Sequence, residues 1–264
     1  MPYRQTIAAA YDAGVEEEYN RLTETPLREA EYQLIIELLD EYIPPGATVI
    51  DIGSGPGRYA EHLLERNCKV GVIDLSARSL KAFSDRMENS CCRKNIFFNQ
   101  VSCATQLGWI ADNSSDSVLL MGPLYHLINE EHRNQSLSHC HRILRPGGFL
   151  FAIFLSPFPV LRNITGSVTH TRFQGFDVPQ FRCWPRESKR IMHSNFFETI
   201  RIRNLEGVGS FLPDASFEGT WPKQKKKELL DILHENCEKA GLLGITHQYI
   251  CVARKPGKPE QRAD

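Results

Sequence analysis

The 264-residue sequence predicts an α/β domain with a parallel sheet covered by helices on both faces. Three observations carry that expectation. Strand-like and helix-like segments alternate from residue 47 to residue 155. The strand-like segments are short, continuous apolar runs, as buried parallel strands are. A glycine-rich turn joins the first of them to the helix that follows.

Each element has its own signal. Leu27, Leu34, Ile35, Leu38, Leu39 and Tyr42 fall mostly at helical spacing, so Pro26 to Tyr42 reads as a helix, ended by Pro44-Pro45-Gly46. Ala47 to Ile52 is a buried strand. Pro56 to Arg66 is a helix with Tyr59, Ala60, Leu63 and Leu64 inward. Cys68 to Leu75 reads as the second strand, Ala77 to Met87 as a helix, and Asn95 to Val101 as the third strand. Asp116 to Met121, with its apolar run Val118-Leu119-Leu120-Met121, is the fourth. Glu130 to Leu144 is helical, Pro146-Gly147-Gly148 a turn, and Phe149 to Leu155 the fifth strand. The alternation stops at Ser156. Residues 156–195 hold Pro157, Pro159, Pro179 and Pro185 and show no period, so they read as an inserted cap. Glu198 to Leu205 alternates polar and apolar, a half-exposed strand. Pro222 to Ala240 reads as a helix ended by Gly241, and Thr246 to Arg254 as the last strand. Lys255 to Asp264 is a polar tail, expected to be mobile.

Composition removes several classes. Lys and Arg total 31 against 32 Asp and Glu, a net charge of -1, which argues against a dedicated nucleic-acid or membrane-surface binder. No apolar run approaches the roughly 20 residues of a membrane span, and the first residues lack a secretory apolar stretch. The expectation is a cytoplasmic protein with reduced thiols. Its 8 cysteines form no CxxC pair. His139-Cys140-His141 lies in the Glu130 helix, where successive side chains diverge, so no metal site is expected.

The most informative stretch is Val49-Ile50-Asp51-Ile52-Gly53-Ser54-Gly55-Pro56-Gly57-Arg58. Glycines let a ligand approach the backbone, and the next helix offers free N–H groups and a positive dipole end. A dinucleotide turn is spaced G-x-G-x-x-G. Here the spacing is G-x-G-x-G, and Asp51 would repel a pyrophosphate but suit an ammonium or sulfonium. Asp74, at the end of the second strand, can accept hydrogen bonds from ribose hydroxyls. These features disfavour a dehydrogenase.

With these residues in order, the sequence resembles the class I S-adenosylmethionine-dependent methyltransferases. The matching stretches are Asp51 to Ala60, Val72-Ile73-Asp74-Leu75-Ser76, Ser117 to Leu127, and Arg142-Ile143-Leu144-Arg145-Pro146-Gly147-Gly148. The ends, Tyr11-Asp12 with Glu18-Tyr19-Asn20-Arg21-Leu22 and the strand from His247 to Lys255, resemble a small-molecule branch. The resemblance implies a Rossmann-like, mostly parallel seven-stranded sheet with its last strand antiparallel, and S-adenosyl-L-methionine as cofactor. It implies an N-terminal helical lid (1–45), a cofactor-binding core (46–155), a substrate cap (156–197), and C-terminal strands and helix (198–255) before a tail (256–264). The cofactor-binding set it implies is Tyr11, Arg21, Asp51, Gly53, Ser54, Gly55, Gly57, Asp74, Leu75, Ser76, Cys103, Met121 and Gly122. In that set Asp51 lies by the methionine part, Asp74 by the ribose and Gly122 by the methyl group. Arg21 either pairs with the methionine carboxylate or forms a salt bridge with Glu17 or Glu18. Many relatives carry an acid after the third strand for the adenine amino group; Ser102-Cys103-Ala104 stands here instead.

The acceptor is less legible. Enzymes that methylate base amines or glutamine amides usually carry Asn/Asp-Pro-Pro-Tyr after the fourth strand, whereas this chain has Met121-Gly122-Pro123-Leu124-Tyr125-His126. That lowers a nucleic-acid acceptor and favours a small molecule. Tyr125 and His126 are the candidate catalytic residues: His126 as a general base or an orienting group, Tyr125 as a pocket wall or a base. Residues 156–203 hold eight basic residues, Arg162, Arg172, Arg182, Arg186, Lys189, Arg190, Arg201 and Arg203, against Asp177, Glu187 and Glu198. With the cap's phenylalanines and Trp184 they suit an anionic or aromatic acceptor, or form an ordinary core with a wet face. An RNA or protein methyltransferase using the basic cap, and a cofactor-binding regulatory protein without turnover, are the alternatives.

Overall fold

Consecutive apolar residues in the central strands must bury side chains on both faces of the sheet, since neighbours on a strand point in opposite directions. The computed structural model describes residues 3–159, 168–212 and 214–257, and meets this requirement with a layer of helices on each side. The helices are α1 (Arg4–Ala13), α2 (Val15–Arg21), α3 (Pro26–Tyr42), α4 (Arg58–Glu65), α5 (Ala77–Met87), α6 (Glu130–Ile143), α7 (Pro185–Ser194) and α8 (Lys223–Asn236). The strands are β1 (Thr48–Ile52), β2 (Lys69–Asp74), β3 (Ile96–Val101), β4 (Ser115–Leu120), β5 (Leu144–Leu155), β6 (Val168–Phe173), β7 (Phe176–Phe181), β8 (Glu198–Asn204) and β9 (Gln248–Arg254).

Seven strands form one sheet in the order β3-β2-β1-β4-β5-β9-β8. Only β9 is antiparallel to its neighbours, pairing Ile153 with Ile250 on one side and Ile202 with Cys251 on the other. Val49, Phe151 and Ile250 face the layer that contains α3, α4 and α5, while Ile50, Leu150 and Cys251 face the layer of α6 and α7. The chain leaves β1 toward β2 and returns to its other side with β4. That reversal opens a crevice at the carboxyl ends of β1 and β4, where open α/β sheets bind ligands.

Some boundaries differ from expectation for local reasons. α4 begins at Arg58 and not Pro56, because Gly57 sits at φ 92°, a left-handed conformation that cannot continue a helix backward. α8 ends at Asn236, before Gly241. β5 starts at Leu144 and takes in the Pro146-Gly147-Gly148 turn. The cap carries more structure than its irregular sequence suggested: β6 and β7 form a separate antiparallel hairpin, and α7 follows it. Its remaining residues 160–167, including Arg162, lie outside the described residues, as do 258–264 of the tail expected to be mobile.

The expected N-terminal helical segment divides into three helices. Thr25 caps α3, its hydroxyl accepting from the Arg28 N–H at 3.3 Å. α1 packs on the cap hairpin through Ile7, Ala10 and Val178, with Tyr11, Leu75, Phe173 and Phe176 around them. All eight cysteines are free. Among the described residues no group of His, Cys, Asp and Glu is arranged to hold a metal, and no helix is long and apolar enough to cross a membrane.

Candidate active site

The turn after β1 is held by backbone geometry. Gly53 sits at φ 74°, and a Cβ there would lie 2.4 Å from the ring of Pro123. The N–H groups of Gly53 and Ser54 both donate to the Ile73 carbonyl, at 2.7 and 3.1 Å, tying the turn to the end of β2. Asp74 braces it further: its Oδ2 accepts from the Gly55 N–H and its Oδ1 from the Ser76 N–H, both at 2.8 Å.

A cavity opens beside this turn. It crosses the strand ends from Leu75 and Cys103, beyond β2 and β3, through Asp51, Gly53 and Met121, to Ile153 on β5 and Gln248 on β9. Of the residues expected to bind cofactor, it brings together Tyr11, Arg21, Asp51, Gly53, Ser54, Gly55, Asp74, Leu75, Cys103, Met121 and Gly122, and both Tyr125 and His126 join them. Gly57 and Ser76 stay outside the lining. Gly57 is a helix start packed so tightly that a Cβ would meet Phe83 at 2.3 Å. Ser76 caps α5, accepting from the Ser79 N–H and donating to Asp12 Oδ1 at 2.6 Å.

Asp51 is 2 % exposed and its Oδ2 has no hydrogen-bond partner. Burial, and then the charge of Asp74, push its pKa up to about 8. Burial likewise raises Asp74 to about 6, against the lowering effect of the amides that it accepts from. An orphaned carboxylate at a helix-leading glycine turn is a receptor for a cationic hydrogen-bond donor. The ammonium of a methionine moiety fits that requirement.

His126 is buried, and burial lowers its pKa to about 4. Its Nε2 lies 2.9 Å from the Tyr11 hydroxyl, which joins α1 to the loop after β4. Its Nδ1 has no partner of hydrogen-bond geometry, although the Pro179 backbone nearby slightly favours the protonated form. Burial pushes Tyr125 up to about 12. Near neutral pH the imidazole and both hydroxyls are therefore uncharged.

Arg21 is held by Glu18 in a two-pronged pair, Nε and Nη2 lying 3.0–3.2 Å from its oxygens, and its Nη1 is 3.8 Å from Glu31. Burial opposes its charge, but Glu18 and Glu31 outweigh that and raise its pKa. Arg58 also lines the cavity, with its guanidinium 4.6 Å from the centre of the Tyr19 ring. Its buried Nε has no hydrogen-bond partner.

Glu31, Ile153 and Gln248 line the cavity without having been singled out in the sequence; Glu18, expected only as a salt-bridge partner of Arg21, and Tyr59, expected inward on its helix, line it too. Glu31 carried a signal: it lies between Leu27 and Leu34 on the apolar stripe of α3, where an acid is out of place. The basic cap residues behave otherwise. Among the described residues none of Arg172, Arg182, Arg186, Lys189, Arg190, Arg201 and Arg203 lines the cavity. Arg182 donates to the Ser156 carbonyl and Thr169, and Arg201 and Arg203 pair with Glu238. The expectation of an anionic acceptor held by these groups finds no support in their placement.

The strand order, with β9 alone reversed, the glycine turn and the cavity across its strand ends define the class: this is the Rossmann-like fold of the class I S-adenosylmethionine-dependent methyltransferases. Residues 49–148 match the family model described as a methyltransferase domain, and the chain carries that domain. A curated relative, the ubiquinone/menaquinone biosynthesis C-methyltransferase UbiE of Brucella canis, is 27% identical over 185 residues, covering 66% of this chain and 63% of the relative. The chain thus spans somewhat under two thirds of that relative's length. The tRNA (carboxymethyluridine(34)-5-O)-methyltransferase of Arabidopsis thaliana is 23% identical over 171 residues, 63% of this chain and 38% of that protein. Among solved structures, the 1,6-didemethyltoxoflavin-N1-methyltransferase of Burkholderia thailandensis, bound to 1,6-didemethyltoxoflavin and S-adenosylhomocysteine, shares the fold with a TM-score of 0.57. It is 18% identical, and the match covers 97% of this chain and 91% of that one.

Proposed function

We propose that this protein transfers the methyl group of S-adenosyl-L-methionine to a small-molecule acceptor by in-line displacement. The observation that carries this is the orphaned, buried carboxylate of Asp51 at the glycine turn of a methyltransferase domain. When bound, the cofactor supplies an activated methyl carbon on a sulfonium. The chain's own residues bind, orient and exclude water.

Asp51 would receive the methionine ammonium, and Asp74 the ribose hydroxyls through the lone pairs that its two amide partners leave free. Arg58, which has no carboxylate opposite it among the described residues, is open to the methionine carboxylate; Arg21 is already engaged by Glu18. Leu75, Cys103, Met121 and Gly122 form the walls. His126, neutral and tied to Tyr11, orients α1 over the cavity and is a poor base at neutral pH. The acceptor's proton would therefore leave before transfer or pass to water. A small acceptor is supported by the cover of α1 and the hairpin and, among the described residues, by the absence of cap arginines from the lining. The tRNA-methylating relative is the reason to test RNA directly.

Calorimetry with S-adenosylhomocysteine tests the site. Asp51→Ala should lower affinity at least tenfold, a loss of about 1.5 kcal/mol or more for a charge-assisted hydrogen bond. Gly55→Val should abolish binding, with the fold retained by circular dichroism. Undiminished affinity in both would remove the site. Methyl-labelled cofactor incubated with fractionated cell extract then tests the acceptor: label in the small-molecule pool is expected, and label in RNA or protein would overturn that class.

A further inference from the structure

Helix α7 lies away from the cavity. It buries Pro185, Ser188 and Met192 and leaves another face in solvent. Arg186, Lys189, Arg190 and His193 are all exposed, and their spacing of i, i+3, i+4 and i+7 sets them in one row along that face. Among the described residues none of the four has an ion-pair partner or a side-chain hydrogen bond. The acids nearby are otherwise engaged. Glu187 is half-buried, and its charge acts on Arg133. Glu198 lines the same shallow depression as Lys189, Arg190 and His193, but it pairs with Arg254 at 2.7 Å.

An aromatic side chain stands at each end of this row. Trp184, just before α7, is 40 % exposed, and Phe196, just after it, is 75 % exposed. The backbone at Phe196 makes that exposure costly. The Phe196 N–H donates to the His193 carbonyl and the Phe197 N–H to the Met192 carbonyl, both at 3.0 Å, the paired bonds that close a helix through a left-handed residue. Glycine usually fills that position, yet here Phe196 adopts it at φ 64°. The ring's recorded neighbour is His141, 6.0 Å away between centres. The chain thus holds a large apolar ring in water, at a place where glycine would be more stable. Packing gives no reason for this, whereas a contact at the surface does.

We propose that the exposed face of α7 docks on an anionic membrane surface, with Arg186, Lys189, Arg190 and His193 against lipid phosphates and with Trp184 and Phe196 in the headgroup layer. Charge complementarity selects this occupant: a row of cations without counter-charges is drawn to acidic lipid, and the rings beside it gain by leaving water. A membrane, being a plane, receives both rings at once. They flank a helix of 10 residues, about 15 Å long, too far apart to stack neighbouring bases of one nucleic-acid strand. The net charge of the whole chain is -1, so the patch is local and the contact is peripheral, reversible and weakened by salt. This docking stands apart from the cavity and does not rest on the methyltransferase reading.

Sedimentation of the full chain with lipid vesicles is the test. Vesicles of phosphatidylcholine mixed with phosphatidylglycerol should bind the protein at least tenfold more strongly than phosphatidylcholine alone, and added salt should shrink the difference. The double variant Lys189→Gln, Arg190→Gln should weaken binding to the mixed vesicles at least tenfold. Phe196→Gly should weaken it as well while raising the melting temperature, because the glycine relieves the left-handed backbone; a ring with only a structural role would not separate the two readings. No binding to either vesicle, equal binding to both, unchanged binding in either variant, or retention of single-stranded RNA in place of the mixed vesicles would overturn the proposal.

Discussion

Asp51 and Asp74 lie side by side at the end of one sheet, yet their environments differ. Asp74 accepts two backbone amides, whereas one oxygen of Asp51 accepts nothing. The folded ligand-free protein therefore holds a proton on Asp51 up to about pH 8, far above the usual range of an aspartate. A group of this kind binds more protons folded than unfolded, so its stabilisation falls as pH rises from the unfolded to the folded pKa. Glu206, raised to about 7, acts in the same direction. His126, lowered to about 4, acts oppositely, but only below about pH 6.5, the ordinary histidine pKa. The clean window is pH 6.5 to 8. Across it the melting temperature of the ligand-free protein should fall, and Asp51→Asn should flatten the fall and melt higher by at least about 2–4 °C, the equivalent of 1 kcal/mol in a chain this size. A variant that melts lower than the wild type at pH 8 would contradict this. Asp51 was legible because its place before the glycine turn is a motif. Glu31 was not, because an acid on an apolar stripe has no meaning until its partners, among them Gln248 far along the chain, are seen beside it.

Two elements close the cavity, and the sequence treated them differently. α1 was expected as part of a helical lid, but its fastening was not visible: the Tyr11 hydroxyl meets His126 across 115 positions of sequence. Tyr11→Phe removes the hydroxyl that meets His126 and Tyr125 while keeping the ring against Phe173, 5.1 Å away. The expected cost is about 1 kcal/mol, confined to α1. Hydrogen exchange of residues 4–13 should speed about fivefold with little change in the melting temperature; unchanged exchange would show that packing alone holds the helix. The hairpin β6–β7 escaped notice because its turn is weakly marked. Gln174 and Gly175 both adopt positive φ, 50° and 80°, a conformation usually announced by Asn-Gly or Asp-Gly. Pro179 within β7 further masked the strand, which forms because the hairpin is its own two-stranded sheet. By contrast α3 and α5 were legible to the residue, each being a strongly periodic segment with a capping hydroxyl before it.

Over the whole molecule, the parallel core was legible because helix and strand periods alternate along the chain. The position of the C-terminal strands was not, since their sequence fixes their type and not their neighbours. The charge distribution shows a similar limit. The basic excess of residues 156–203 is real, but among the described residues it lies outside the cavity, whose lining carries more acids than bases. The sheet order also sets a sequence of events in time. β8 pairs only with β9, and β9 fills the slot between β5 and β8. Until residues 248–254 arrive, β5 keeps a bare apolar edge and β8 has no sheet to join. Gln248 and the shell around Glu206 therefore form only once β9 has joined the sheet. Pulse-labelled exchange during refolding should protect the β8 amides no earlier than those of β9, and earlier protection of β8 would refute this. The end of the cavity lined by Gln248 thus waits on a strand from far along the chain, whereas the turn between β1 and β2 is closed by strands adjacent in sequence.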